Sequence, residues 1–471
     1  MKMFIGGKWI DKKETIEVRD PYDDSLVDTV PSGAAEDVKA AIDAAVKGYE
    51  TNRDLPVHER IRILNAAASY VESRQEEYAR VIAREGSKTI REARKEASRC
   101  VDTIRISAEE ARRISGETIP FDSRPGSENR VGYYFRFPIG VVAAITPFND
   151  PLNLVAHKVG PAVAAGNAVV VKPATVTPLS ALMLAKAFDE AGLPPGVLNV
   201  VTGHAARTGD ALVTDPRVRM VSFTGGAEAG EAIVKKAGLK KIGMELGSNT
   251  PVIVLEDCDL KRAVDDCVSG AFWAAGQNCI GVQRIYVEQS IYKRFETLFV
   301  SRTRAYKVGP KLEEDCDMGP MINEGEAKRI ERWVAEAVKA GAKTLTGGAR
   351  RGAIYEPTVL VDVPAGARVD VDEVFAPTVN LYPVKDLDEA IARANAVDFG
   401  LHAGVFTKDL NKAFKAIREL EVGGVIVNDS SDYRIDMMPF GGVKRSGLGR
   451  EGIKFALQEM TEPRVVCFNL F

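Results

Sequence analysis

The sequence predicts an α/β protein whose first domain is an open, doubly wound sheet, and three observations predict it. Between 139 and 256, short apolar β-branched runs ("IGVVAAITPF", "NAVVVKPA", "VLNVVTG", "RMVSFTGG", "KIGMELG") alternate with helical stretches such as "PLSALMLAKAFDEAG". That spacing signals parallel βαβ units, because parallel strands need a crossover long enough to hold a helix. Residues 35–115 repeat apolar positions at three and four with charges between, as helices covering a sheet do. After "TPVIVLEDCD" the alternation resumes through "QRIYVEQ", "VNLYPV", "HAGVFTKD" and "GGVIVND", so a second α/β domain is expected.

The boundaries follow from where this character changes. Residues 1–118 with 138–247 form the expected dinucleotide-binding domain, of Rossmann type, and residues 248–446 the second, catalytic domain. Residues 119–137 contain a Pro-Gly turn and an extended run around Tyr133, Tyr134 and Phe135, which reads as a hairpin interrupting the larger domain. Residues 447–471 end in an extended segment around Val465 and Val466, free to pair with that hairpin or with another subunit.

Bulk properties narrow the function. The 471 residues carry 63 basic and 66 acidic side chains, a net charge of -3 that leaves no footprint for nucleic acid or an anionic membrane. No apolar run reaches the ~20 residues of a membrane helix, and "MKMFIGGKWIDKK" lacks the apolar core of a secretory signal, so a cytoplasmic protein is expected. The 6 cysteines form no CxxC pair and are expected as free thiols, and the 4 histidines form no ligand motif, so no metal site is expected. A small molecule bound in a pocket is the partner this leaves.

Among the thiols, Cys279 differs in setting. "FWAAGQNCIGVQR" surrounds it with small residues that let a ligand approach the backbone, where exposed N–H groups would favour a thiolate. A thiolate attacking a carbonyl needs an oxyanion donor, and hydrolysis of its acyl product needs a base. Asn149 ends a strand in "ITPFNDP" with a neutral donor amide. Glu245, in "MELGSN", sits in an apolar setting that would raise its pKa. Lys172 in "VKPAT" and Gly225, Gly226 and Gly230 in "SFTGGAEAG" stand where a doubly wound sheet binds a dinucleotide, although the usual GxGxxG is absent.

Seven segments, "ITPFND", "AAGNAVVVKPAT", "FTGGAEAG", "MELGS", "GQNCIGVQR", "DEVFAPT" and "MPFGGVKRSGLGREG", occur in the order and spacing of the aldehyde dehydrogenase superfamily. The resemblance covers essentially the whole chain. It implies an aldehyde dehydrogenase-like fold with a small β oligomerisation element, and a homodimer or homotetramer. It implies Cys279 as nucleophile, Glu245 as general base, Asn149 as oxyanion donor and Lys158 as a lysine linked to proton relay or folding. For the cofactor it implies Lys172 at the adenosine ribose, Gly225 and Gly226 by the pyrophosphate, Glu373 and Phe375 at the nicotinamide riboside. Thr146, Pro147, Phe148, Thr175, Phe223, Thr224, Gly230 and Leu246 complete the implied cofactor set.

Four positions depart from the family pattern. Thr175 replaces the glutamate that NAD-selective members usually place three residues after the lysine, which leaves both NAD and NADP open. Gly226, Ser248 and Ala376 replace a serine and two glycines, departures that touch cofactor geometry rather than chemistry. Arg105, His157 and Arg434 fall in regions that line the family's substrate tunnel. They would suit a short polar or anionic aldehyde, as in the lactaldehyde, sulfolactaldehyde and phosphonoacetaldehyde branch. Two rivals are a CoA-acylating aldehyde dehydrogenase, which generally lacks the base, and a non-catalytic ligand-binding descendant, which would be expected to lose one of Cys279, Glu245 and Asn149.

Overall fold

The alternating apolar runs of residues 139–245 pack as the centre of an eight-stranded sheet in the computed structural model, which describes residues 1–470. The strands lie in the order Lys8–Ile10, Met3–Ile5, Leu198–Val200, Ala168–Lys172, Val141–Ile145, Val218–Thr224, Lys241–Glu245, Gly447–Leu448. The five from Leu198–Val200 to Lys241–Glu245 are parallel. Sequence order reverses between Val141–Ile145 and Val218–Thr224, and such a switch point opens a crevice at the carboxyl ends of the strands.

Alternate side chains of these strands enter different cores, because successive Cβ atoms point to opposite faces. Val142, Ala144, Val169 and Val171 pack with the helices Val57–Glu72, Ile90–Ala111, Asn153–Ala165 and Leu179–Glu190. Val141, Ala143, Val170 and Val221 pack on the other face with Ala35–Asp54, Ala205–Thr214 and Ala227–Ala237. Burial on both faces explains why the runs are continuously apolar rather than alternating.

The second sheet has seven strands in the order Lys343–Thr346, Thr358–Val361, Thr378–Val384, Arg284–Glu288, Pro251–Val254, His402–Phe406, Gly424–Val427. All neighbours are parallel except the first pair. A third sheet joins Thr461–Asn469, Arg130–Pro138 and Glu117–Ile119. Here Thr461 faces Pro138 and Asn469 faces Arg130, so the terminal segment pairs with its own chain. Phe471, the last residue of that expected extended tail, lies outside the described residues.

Two stretches carry more structure than their sequence suggests. Met3–Ile5 and Lys8–Ile10 add an antiparallel edge to the first sheet, Phe4 meeting Val200. Gly447–Leu448 closes the opposite edge against Met244 and Glu245. Leu457 and Met460, within and just after helix Ile453–Glu459, belong to the first core. Of the described residues 447–470, only Thr461–Asn469 joins the three-stranded sheet. Among the described residues no helix is long and apolar enough to cross a membrane.

Candidate active site

A cavity of about 1170 Å³ opens at the switch point, between the ends of the central strands and the segments around Cys279 and Arg434. Its shape begins with the backbone before the cysteine. Helix Leu260–Phe272 gives way to a short 3-10 turn in which Ala274 (φ 49°), Ala275 (φ 56°) and Gly276 (φ 69°) are all left-handed. For a residue with a Cβ this conformation costs about 1–2 kcal/mol, so neighbours must hold it. At Gly276 a Cβ would fall 2.1 Å from the carbonyl oxygen of Ala376, which explains the glycine.

Two side chains hold this turn by hydrogen bonds. The capping box of helix Ile90–Ala111 uses Thr89 and Glu92, and the second oxygen of Glu92 accepts from the Ala274 N–H at 2.9 Å. Gln277 donates to the Ala274 carbonyl and accepts from the Ile322 N–H, each at 2.9 Å. The small residues therefore accommodate the protein's own backbone as well as any ligand. Cys279 emerges half-buried against Ile280, Leu401 and Phe440, facing the cavity.

Electrostatics at Cys279 run opposite to the sequence expectation of a thiolate. Burial pushes its thiol up to about 12. Arg434 opposes the shift, while Glu373, Glu245 and Glu451 add to it. Glu245 ends strand Lys241–Glu245, is buried, and lines the same cavity, with its Oε2 lacking a hydrogen-bond partner. Burial, then the nearby Glu451, holds its carboxyl well above the usual range. Asn149 lines the cavity too. Lys158 sits behind it, fully buried, its Nζ donating to Ser222 Oγ (3.0 Å) and Glu451 Oε1 (2.7 Å).

At the sheet end, several features suit a dinucleotide. Thr146 and Thr224 line the cavity with buried hydroxyls that have no partner. Gly226 stands before helix Ala227–Ala237 with nothing within 4 Å of where its Cβ would lie, leaving space for a phosphate at the positive end of the helix. Ile145, Val213 and Ile233 supply apolar wall, and Pro147, Phe223, Gly225 and Leu246 also line it.

Lys172 Nζ donates to Pro173 O (2.9 Å) and lies 3.5 Å from Thr175 Oγ1; burial lowers the lysine to about 8. Glu373 accepts from the Ser248 N–H at 3.0 Å and is pushed up to about 7, chiefly by burial. Phe375, left-handed at φ 44°, meets Phe148 edge to face at 5.8 Å. These donors, hydroxyls and ring faces fit a dinucleotide. Gly230 does not join them: its Cβ would fall 2.4 Å from Leu246, so it is a packing glycine.

Of the three expected substrate residues, the cavity receives one. Arg434 lines it with its side chain 8% exposed, its guanidinium 3.7 Å over the Phe440 ring and its Nε and Nη2 without hydrogen bonds. Arg105 does not reach it. On the outer face of helix Ile90–Ala111, it grips the Glu72 carboxylate at 3.0 and 2.5 Å. His157 is buried away from the cavity, and its Nε2 lies in hydrogen-bond contact with Asp436 Oδ1 at 2.8 Å.

The cavity instead receives Lys95 and Arg99 from the same helix as Arg105. Six residues are about 240° of helical turn, so Arg99 and Arg105 face different ways. The i, i+4 pair Lys95 and Arg99 was the available signal. Arg99 Nη2 is held by Asp436 at 2.7 Å, which leaves Arg434 as the less committed guanidinium.

Comparison with known proteins agrees with this geometry. The family model described as "Aldehyde dehydrogenase family" matches residues 9–466. Aspartate-semialdehyde dehydrogenase 1 of Pseudomonas canavaninivorans is 50% identical over 455 residues, 97% of this chain and 97% of that protein. The 3-sulfolactaldehyde dehydrogenase of Priestia aryabhattai is 48% identical over 468 residues, 99% and 98% of the two chains. The crystal structure of glyceraldehyde-3-phosphate dehydrogenase GapN from Methanocaldococcus jannaschii, complexed with NADP, superposes with a TM-score of 0.94 at 40% identity, covering 98% of this chain and 100% of that one. With a cysteine, a buried carboxylate and a dinucleotide-shaped crevice meeting in one cavity, this chain belongs to the aldehyde dehydrogenase family.

Proposed function

We propose that this protein oxidises a short polar or anionic aldehyde to its carboxylic acid with NAD or NADP, by way of covalent adducts on Cys279. The single observation that carries the proposal is the meeting of Cys279, from the second sheet's side, with unpartnered Glu245, from the first, in one cavity. The thiol needs deprotonation, because burial holds it at about 12. Glu245, raised by the same burial, is a stronger base than an ordinary carboxylate and takes that proton.

The thiolate then adds to the aldehyde carbon, and the oxygen that becomes negative is met by the Asn149 amide and the Cys279 N–H. The nicotinamide, when bound, supplies the hydride acceptor. Glu245 must first lose the thiol's proton to solvent; water then attacks the thioester left on Cys279, its proton passing to Glu245 and on to the departing thiolate, which releases the acid and restores the thiol. Lys158, held on Glu451, acts behind Glu245 as a positioning residue.

Arg434 is the group proposed to select an anionic substituent, because a buried guanidinium with free donors is satisfied by a carboxylate, sulfonate or phosphonate. Thr175 places no carboxylate beside Lys172, which supports acceptance of both NAD and NADP. The assembly proposed is a cytoplasmic homodimer or homotetramer built through the edge strand Thr461–Asn469, where Val465 and Phe468 are exposed.

Following NADH absorbance with a panel of short neutral and anionic aldehydes, with and without CoA, tests the reading. Turnover on anionic aldehydes that CoA leaves unchanged is expected. Acceleration by CoA would assign an acyl-transfer enzyme instead.

A further inference from the structure

Four charged residues of helix Ile90–Ala111 stand at i, i+3, i+4 and i+7, the spacing of one helix face: Glu92, Lys95, Glu96 and Arg99. Together they grip three segments of the candidate site. Glu92 accepts from the Ala274 N–H at 2.9 Å, and Lys95 Nζ lies 4.9 Å over the ring of Trp273, so both meet the strained turn before Cys279. Glu96 Oε1 accepts from the Leu152 and Asn153 N–H groups at 2.8 and 3.1 Å. Its Oε2 accepts from Lys88 Nζ at 2.7 Å, and the same ammonium donates to Asp150, next to Asn149. Arg99 holds Asp436, two residues past Arg434, at 2.7 Å.

Two carboxylates one helical turn apart repel, and Glu92 and Glu96 are both buried, so the pair is costly to the helix that carries it. Of their four oxygens, Glu92 Oε2 alone caps the helix, through the Thr89 N–H. The other three reach the turn before the nucleophile, the segment of Asn149 and the lysine that ties that segment down. A backbone N–H held by a carboxylate is fixed in both distance and direction, which apolar packing alone does not give. Asn149 follows a strand of the first sheet and Cys279 precedes a strand of the second, so neither sheet by itself sets their separation.

We propose that this helix face sets the nucleophile against the oxyanion donor, Glu92 positioning the turn that leads to Cys279 and Glu96 the segment that carries Asn149. This rests on reading Cys279 as nucleophile and Asn149 as oxyanion donor, and it adds what fixes one against the other.

Two reagents separate the two placements. Iodoacetamide alkylates Cys279 by displacing iodide and builds no oxyanion; 4-nitrophenyl acetate transfers its acetyl group to Sγ through a tetrahedral oxyanion and releases 4-nitrophenolate. Both reactions are followed at Cys279 by peptide mass spectrometry of enzyme quenched at intervals. Glu96→Gln is expected to slow acetylation about 10- to 100-fold, the cost of a displaced donor, and to leave alkylation within about twofold. In an Asn149→Ala background the same substitution should cost less than about twofold, because Glu96 then has no donor to place. Glu92→Gln, which sets an N–H against a main-chain N–H, is expected to slow both reactions by similar factors.

Equal effects of Glu96→Gln on the two reactions, or its full effect persisting without the Asn149 amide, overturns the role of Glu96. Unchanged alkylation in Glu92→Gln overturns that of Glu92. Should Glu96→Gln not be recovered folded, Asp150→Asn, at a partly exposed position, interrupts the same tie through Lys88 and is held to the same outcomes. Acetylation unchanged in Asn149→Ala would instead overturn the oxyanion reading of Asn149 itself.

Discussion

At the end proposed for the nucleotide the cavity is walled by main chain, hydroxyls and apolar side chains, mostly from Thr146 to Leu246, with Lys172, Asp210, Glu228 and Lys236 among them; at the end proposed for the substrate it is walled by Lys95, Arg99, Asp266, Asp429, Asp432 and Arg434. The first end is made by a sheet whose strand ends converge at a switch point, so its geometry is a consequence of the fold. The second is assembled from two helices, Ile90–Ala111 and Leu260–Phe272, and the loop around Arg434, all far apart in sequence, and nothing in the fold fixes its charge. A family can keep the first end and revise the second, which is why the chemistry is easier to assign here than the aldehyde. Between the two ends sit Cys279 and Glu245.

The largest way to test this division is at the junction. Glu245→Gln keeps the shape of the side chain and removes the base. Turnover is expected to fall by about 10²–10⁴-fold, the usual range for general-base assistance. At alkaline pH, where hydroxide can take the thiol's proton in place of Glu245, intact-protein mass spectrometry should then find the acyl adduct accumulated on Cys279. Unchanged steady-state turnover would remove Glu245 from the mechanism and leave Cys279 without a nearby base.

At the substrate end, Arg434→Gln is expected to lower kcat/KM for anionic aldehydes by about 10- to 100-fold, the worth of a charged hydrogen bond left unmade. Neutral short aldehydes should lose much less. Equal loss on both would mean that Arg434 acts on Cys279 or Glu451 and not on the substrate. The distinction matters because Arg434 is also the group that opposes the upward shift of the thiol.

How much of this was legible in the sequence divides along the same line. The doubly wound sheet could be read because each strand buries both faces, which leaves unbroken apolar runs. The cofactor wall could be read because its residues sit at the ends of those runs. Cys279 could be singled out, but its electrostatics could not: small neighbours suggested exposed N–H groups, whereas the folded chain surrounds it with apolar residues and three carboxylates. Asp429 and Asp432 carried no signal, since a loop with "NDSSDYR" reads as solvated until tertiary packing turns it inward.

A smaller effect is expected at the nucleotide end, from pH. Lys172 is lowered to about 8 by burial, so it is charged below that pH and neutral above it. A 2'-phosphate loses its second proton near about 6 and is dianionic throughout the range 7–9. NADP binding should therefore weaken as pH rises through about 8, while NAD binding changes less. Titrating the enzyme calorimetrically with each nucleotide at three pH values across that range checks it. Parallel pH profiles would show that Lys172 does not meet the 2' position.

The smallest expected effect is at Arg105, and its smallness is informative. Arg105 and Arg99 share a helix, a charge and a length, and differ in the face they occupy. Arg105 spends its donors on Glu72 in a pair with both side chains more than 40% exposed, so Arg105→Ala should change stability by less than about 1 kcal/mol. Charged and neutral aldehydes should be oxidised by that variant as by the parent enzyme. Arg99→Ala, by contrast, removes the guanidinium 2.7 Å from Asp436 and leaves that buried carboxylate to Asn153 and His157. If Arg105→Ala selectively impaired anionic aldehydes, the outer face of the helix would have to reach the substrate in some other state of the protein, and the separation of nucleotide end from substrate end would need redrawing.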